Sequence, residues 1–118
     1  MARIKAGTIC HIEIPAPKFK KSRSFYSKLF GWDTSRSMGP TYCFFSDGTI
    51  GGALDADAKP SRSGVILVME TGDIDKKLRQ IRKAGGKVVK PKTAIGGGHG
   101  HYAYFHDPNG NIMGLHSS

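Results

Sequence analysis

The strongest constraint on this chain is a repeated order of elements. Phe25-Tyr26-Ser27-Lys28-Leu29-Phe30-Gly31 falls on Gln80-Ile81-Arg82-Lys83-Ala84-Gly85-Gly86 at a shift of 55 residues, so two amphipathic runs stop on glycine at matching places. The same shift lays His11 over Ile66. Near the ends of the halves, Phe45-Ser46-Asp47 matches Phe105-His106-Asp107 and Ile50-Gly51-Gly52 matches Ile112-Met113-Gly114. Identities are few, and the repeat rests mainly on the order in which strand and helix patterns alternate.

In the first half, Thr8–Ile14 reads as a strand, and Pro15-Ala16-Pro17 ends it and leads into a helix from Lys18. Ser22, Phe25, Tyr26, Leu29 and Phe30 make that helix's inward stripe. Trp32–Met38 is a weak strand pattern and Tyr42–Ser46 a stronger one, and Asp47-Gly48 suits a two-residue hairpin into Thr49–Leu54. Asp55–Ser63 reads as a linker. The order then returns. Val65–Glu70 is an apolar strand, and Asp73 is the N-cap of a helix carrying Ile74, Leu78, Ile81 and Ala84. Lys87–Lys90 is a short strand, and Pro91–Gly100 a loop. The strands His101–His106 and Ile112–His116 are joined by the turn Asp107-Pro108-Asn109-Gly110. The pattern predicts an α+β fold of two βαβββ modules, about residues 7–55 and 64–117 of a single domain 1–118. Their strands should form a cupped, partly open mixed sheet with the helices outside.

With 118 residues there is room for one modest core. Lys and Arg outnumber Asp and Glu 18 to 9, but the basic residues interleave with apolar ones at helical spacing and read as outer helix faces. No basic run mixed with exposed aromatics occurs, which argues against nucleic acid. No run approaches the roughly 18 apolar residues of a membrane span, and the first residues lack a signal peptide's apolar core. Cys10 and Cys43 sit in apolar strand patterns and read as free buried thiols of a reducing compartment. The expectation is a soluble cytoplasmic protein.

The first strand has two unlike faces. Cys10, Ile12 and Ile14 share one, and Ile9, His11 and Glu13 the other, so an imidazole and a carboxylate point the same way. That is either a half-solvated face or one presented to a ligand. No nucleophile constellation stands out, since no imidazole can be assigned beside Cys43. The glycine-rich loop Ala94–Gly100 leads into a strand rather than a helix, which disfavours a phosphate cradle. It suits either a mobile flap that brings His99 to a ligand or an inert surface loop.

Four pieces in order, His11-Ile12-Glu13-Ile14-Pro15-Ala16, Phe25-Tyr26 through Phe30-Gly31-Trp32, Gly85-Gly86-Lys87-Val88-Val89, and Phe105-His106-Asp107-Pro108-Asn109-Gly110-Asn111, resemble the vicinal oxygen chelate superfamily. That group includes glyoxalase I, the fosfomycin and bleomycin resistance proteins, and the extradiol dioxygenases. Its metal-dependent members hold a divalent ion with one residue from the first and one from the last strand of each unit. Carried over, those positions fall on His11, Gly52, Ile66 and Gly114, so three of the four cannot ligate. A catalytic ion needs about three protein ligands. No cofactor is therefore expected, glyoxalase I activity is disfavoured, and a divalent metal remains a minor alternative. Relatives usually pair as homodimers, which is the expectation here.

If the turns have the lengths given above, Cys43 faces Gly52 and Phe45 faces Ile50. Phe105 then faces Ile112, Ala103 faces Gly114, and His101 faces His116. On this register the inner face carries His11, Glu13, Phe45, Ile66, His101, Phe105 and His116 as ligand-binding residues, with Ile50, Leu54, Val68 and Ile112 as apolar lining, and the loop over the mouth adds His99. Three functions follow. One is a metal-free protein that binds a small neutral or anionic organic ligand in an apolar cavity. Another is an enzyme of lyase or dioxygenase type with a site rebuilt from His11, Glu13, His101 and His116. The last is a regulatory or interaction domain whose cavity is vestigial.

Overall fold

The computed structural model describes residues 5–6 and 8–118, and Gly7, at the expected start of the first module, lies outside the described residues. The chain divides into two compact units, Met1–Ala58 and Lys59–Ser118. Each builds a mixed sheet and one helix, the α+β architecture expected from the repeat.

In the first unit, β1 (Ile12–Pro15) is followed by helix α1 (Phe19–Phe30), β2 (Tyr42–Ser46) and β3 (Gly51–Asp55). The sheet order is β1-β3-β2, with β1 parallel and β2 antiparallel to β3. Helix α1 buries Ser22, Phe25 and Tyr26, and Gly31 caps it at φ 68° with its N–H bonded to the Ser27 carbonyl, a left-handed geometry that costs glycine little. Against this stripe lie Ile14, Cys43, Phe45 and Leu54, all on one sheet face. The core's centre is a stack in which Trp32 lies 4.5 Å from Tyr26 on one side and 4.5 Å from Phe45 on the other.

Several boundaries differ from the expected ones. The first strand starts at Ile12 rather than Thr8, because β3 offers partners only from Gly52 to Asp55. Cys10 is consequently exposed rather than buried. Trp32–Met38 is no strand and makes two isolated bridges, Asp33 to Ser46 and Ser37 to Cys43. The hairpin loop between β2 and β3 has four residues, not two, because Asp47 Oδ1 accepts from the N–H groups of both Thr49 and Ile50. Phe45 therefore pairs with Gly52 and Cys43 with Leu54.

The second unit runs β4 (Leu67–Glu70), α2 (Ile74–Lys83), β5 (Lys87–Ala94), β6 (His101–His106) and β7 (Ile112–Ser117). Its order is β4-β7-β6-β5, with β4 parallel to β7 and the rest antiparallel. This is the first unit's order with a fourth strand added. Asp73 caps α2 by accepting from the Lys76 N–H, and Ile74, Leu78 and Ile81 form its buried stripe. The sheet face bearing Ala103, Phe105, Met113 and Leu115 is buried. Strand β5 is longer than expected and runs through Pro91. It lies at the sheet edge, where two register shifts accommodate a residue that cannot donate to a ladder.

The turn between β6 and β7 encloses five residues rather than four. Asp107 donates its N–H to the Asn111 carbonyl, and its carboxylate accepts from Asn109 and Asn111. The register moves by one, so His101 pairs with Ser117, Tyr102 with His116 and Phe105 with Met113. Among the described residues, no helix is long and apolar enough to cross a membrane.

Candidate functional site

Each unit leaves one sheet face carrying polar and aromatic side chains. In the first unit this is the face of Glu13, which pairs with Ala53, which in turn pairs with Phe44. Tyr42 stands on it too. Its hydroxyl donates to Glu13 Oε2 at 2.8 Å and lies 3.1 Å from His11 Nε2, while that nitrogen and Glu13 Oε2 are 3.4 Å apart. Imidazole, phenol and carboxylate thus form one partly exposed cluster. The hydrogen bond to Glu13 is the main cause that raises the Tyr42 pKa above 10.0, helped by partial burial and by the negative charge of Glu13 and Asp55. Tyr42 therefore stays a neutral donor. The arrangement can offer both a hydrogen-bond donor and acceptors to a polar group laid on the sheet.

In the second unit the open face is formed by Val68 and Glu70 on β4, Gly114 and His116 on β7, and Tyr102 and Tyr104 on β6. Val68 is 54% exposed. The two tyrosine rings meet edge to face at 5.2 Å, and the Lys90 ammonium lies 5.5 Å from the Tyr102 ring centre. His116 bonds through Nδ1 to Glu70 at 2.6 Å and through Nε2 to the His99 carbonyl at 2.8 Å.

The structure redistributes the residues named from the sequence. His11 and Glu13 do come together, and His116 stands on an open face. His101 and His116 are not cross-strand neighbours: the one-residue register change puts them on opposite faces of their sheet. Phe105 is fully buried in the core face, not in a cavity lining. Phe45 and Leu54 are likewise core, on the sheet face opposite Glu13. Ile66 immediately precedes β4 and is half-buried. His99 is exposed and contributes its backbone carbonyl to His116. Cys43 is buried with its thiol 3.1 Å from the Thr34 carbonyl, and burial raises its pKa, which makes it a poor nucleophile. Sequence reasoning missed Tyr42, Glu70, Tyr102 and Tyr104. Glu70 shares the period-2 phase of Ile66 and Val68 and could have been found that way. Tyr42 could not, because β3 lies between its strand and that of His11.

The register also corrects one family position. Glu13 pairs with Ala53 as Val68 pairs with Gly114, so the first unit's counterpart of Gly114 is Ala53, not Gly52. Gly52 faces the core, where a Cβ would lie 1.8 Å from the Ile12 carbonyl oxygen. None of the three can ligate, since the methyl of Ala53, the hydrogen of Gly114 and the branched alkyl chain of Ile66 stand where ligands are needed. His11 alone offers one, and among the described residues no group of three or more His, Cys, Asp or Glu is placed to hold a metal ion. The residues present do not fit the divalent ion of metal-dependent relatives.

With this fold and these faces in view, comparison with known proteins identifies the class. The model of the Glyoxalase/Bleomycin resistance protein/Dioxygenase superfamily matches residues 8–114, and the chain belongs to that superfamily. A glyoxylase-like domain-containing protein of Didymella fabae is 27% identical over 118 residues, covering 92% of each chain. The fold resembles the fosfomycin resistance protein FosX from Listeria monocytogenes with a TM-score of 0.78 at 19% identity, covering 97% of this chain and 95% of that one. A mutant of that protein, also at TM-score 0.78 and 19% identity over 95% and 90% of the two chains, was solved with Mn(II) and 1S,2S-dihydroxypropylphosphonic acid. A glyoxalase-related enzyme from Fulvimarina pelagi matches with a TM-score of 0.74 at 18% identity over 95% of this chain and 88% of that one.

Proposed function

We propose that this chain binds a small neutral or anionic organic molecule without a divalent ion, on the open sheet face of its second unit. The observation that carries the reading is Gly114. Where metal-dependent relatives place a carboxylate it leaves bare backbone, flanked closely enough that an added Cβ would lie 3.1 Å from Val68 and 3.3 Å from Tyr104. An apolar and aromatic floor replaces a charged ligand to a metal. Val68, Tyr102 and Tyr104 supply contact area, and the Lys90 ammonium favours negative charge. The phosphonic acid bound by the structural neighbour is itself a small anion, which supports the same class of ligand.

The test is thermal shift against a panel of aromatic and aliphatic carboxylates and phosphonates, run with and without EDTA, together with elemental analysis of the purified protein. A ligand present at about 100 times its Kd stabilises the folded state by about 2.7 kcal/mol. The reading expects a shift that EDTA leaves intact and that Gly114→Glu, which fills the face with a carboxylate, abolishes. A shift that requires metal, or one that survives Gly114→Glu, overturns it. The homodimer and the reducing cytoplasmic setting belong to this reading. The first is checked by sedimentation at two concentrations, and the second is supported by the free Cys10 and Cys43 thiols.

The His11–Tyr42–Glu13 cluster favours a second reading, a metal-independent enzyme with a rebuilt acid–base site. Tyr42→Phe would then abolish turnover of a bound compound while leaving its thermal shift in place.

A further inference from the structure

His116 has acceptors at both ring nitrogens. Nδ1 meets the Glu70 carboxylate and Nε2 meets the backbone carbonyl of His99, and neither partner oxygen carries a proton to give. A neutral imidazole has one N–H and satisfies one of them. The imidazolium satisfies both.

His99 lies in the turn Ile95–Gly100 that joins β5 to β6. Ile95 donates its N–H to the Gly100 carbonyl and His99 donates to that of Gly96, closing the turn on itself. Gly96, Gly97 and Gly98 have φ of 89°, 62° and 78°, and residues 95–99 are exposed. Three consecutive glycines bring no side chain that could anchor the tip. While Gly100 packs against the Ser117 backbone at the loop's end, His116 reaches the tip through the His99 carbonyl.

We infer that His116 is a proton-controlled latch: as an imidazolium it ties the Ile95–Gly100 loop to β4 and β7, and on losing its proton it releases the loop. The groups around the ring are few. Strand β4 contributes Glu70 and the uncharged Val68. Strand β6 contributes Tyr102, paired with His116, and β5 brings the Lys90 ammonium to 5.5 Å from the Tyr102 ring centre. The loop contributes the His99 side chain, whose ring would lie 3.2 Å from a Cβ at Gly97. Helix α2 contacts the same sheet through the apolar Ile74, Leu78 and Ile81.

The hydrogen bond to Glu70, then that to the His99 carbonyl, raise the His116 pKa above the ordinary 6.5, with partial burial opposing. The sign follows. A folded-state value above the unfolded one means that the latch is fully set below pH 6.5 and is lost as pH rises through the raised value.

The experiment combines amide hydrogen exchange in the Ile95–Gly100 loop, corrected for intrinsic pH dependence, with ¹⁵N NMR of the His116 ring between pH 5.5 and 9. Expected is a ring protonated at both nitrogens at low pH, and protection of the Ile95 and His99 amides that falls about tenfold as the ring deprotonates. Glu70→Gln should move both transitions together to lower pH, and His116→Gln should give low protection at every pH. Loop protection that ignores the ring's titration overturns the latch, as does a wild-type pH dependence retained in His116→Gln. Should His116→Gln fail to fold, the parallel movement in Glu70→Gln decides the matter, since a loop transition that stays in place while the ring's moves also refutes it.

Discussion

Replacing Gly52 with alanine tests how tightly β1 is drawn onto β3. The added methyl would sit 1.8 Å from the Ile12 carbonyl oxygen and 2.7 Å from Cε2 of Phe45, roughly 1.5 Å short of ordinary separation on the backbone side. The aromatic ring can turn slightly, but the carbonyl is held in the β1–β3 ladder, where Ile12 pairs with Gly52 itself. Relief therefore requires β1 to slide or lift, giving up ladder bonds as well as packing against Leu54. Overpacking of a soft core costs about 1–3 kcal/mol, and an obstacle made of backbone belongs at or above the top of that range. For a domain of this size each kcal/mol moves the melting temperature by about 3–5 °C, so Gly52→Ala should melt about 10 °C or more below the parent in scanning calorimetry. Because the Ile12 carbonyl lies between the His11 and Glu13 side chains along the strand, the Tyr42 titration should shift as well. Gly72→Ala is the control: its Cβ meets nothing within 4 Å, and the effect should be under about 1 kcal/mol and stabilising. A Gly52→Ala protein melting within about 2 °C of the parent would refute the close approach.

Other expectations follow from single contacts. Asn111 is buried, accepts from the Ser61 N–H through Oδ1 and donates to Asp107 through Nδ2. Asn111→Ala removes both side-chain bonds and should cost about 1–3 kcal/mol, read as a lower urea midpoint at unchanged slope. Exposed Cys10 should react fully with a thiol reagent at pH 8, whereas buried Cys43, its pKa raised by burial, should react only after denaturation. Glu13→Gln removes the carboxylate that is the chief cause of the raised Tyr42 pKa and should bring that phenol's absorbance titration to lower pH.

The elements were legible because their signals are local. The stripe of Ser22, Phe25 and Tyr26, the glycine after Phe30 and the N-cap at Asp73 each act within a turn or two of chain, and the repeat of strand and helix order led to the right architecture. The registers were not legible, because a turn's length depends on what its carboxylate bonds. Asp47 closes four residues instead of two, which moves the first hairpin by two positions without changing which β2 and β3 side chains share a face; it is the pairing of Glu13 with Ala53 that puts Phe45 on the core side. Asp107 closes five instead of four, which moves the second by one and exchanges its faces. Hence His11 and Glu13 kept their expected company while His101 parted from His116 and Phe105 went into the core. Tyr42 joined His11 across an intervening strand, a relation that no spacing along the chain encodes.

Strand β5 ends the second sheet with Lys87, Lys90, Pro91 and Lys92 and with two breaks in its pairing. A free sheet border usually invites a neighbouring molecule to continue the ladder, and here Val89 is 48% exposed beside it. Like charges repel an incoming copy of the same border, and the missing amide hydrogen and uneven spacing deny it a continuous row of partners. Copies of the chain can therefore be crowded without zipping together through this border, even though that margin carries exposed aliphatic side chains.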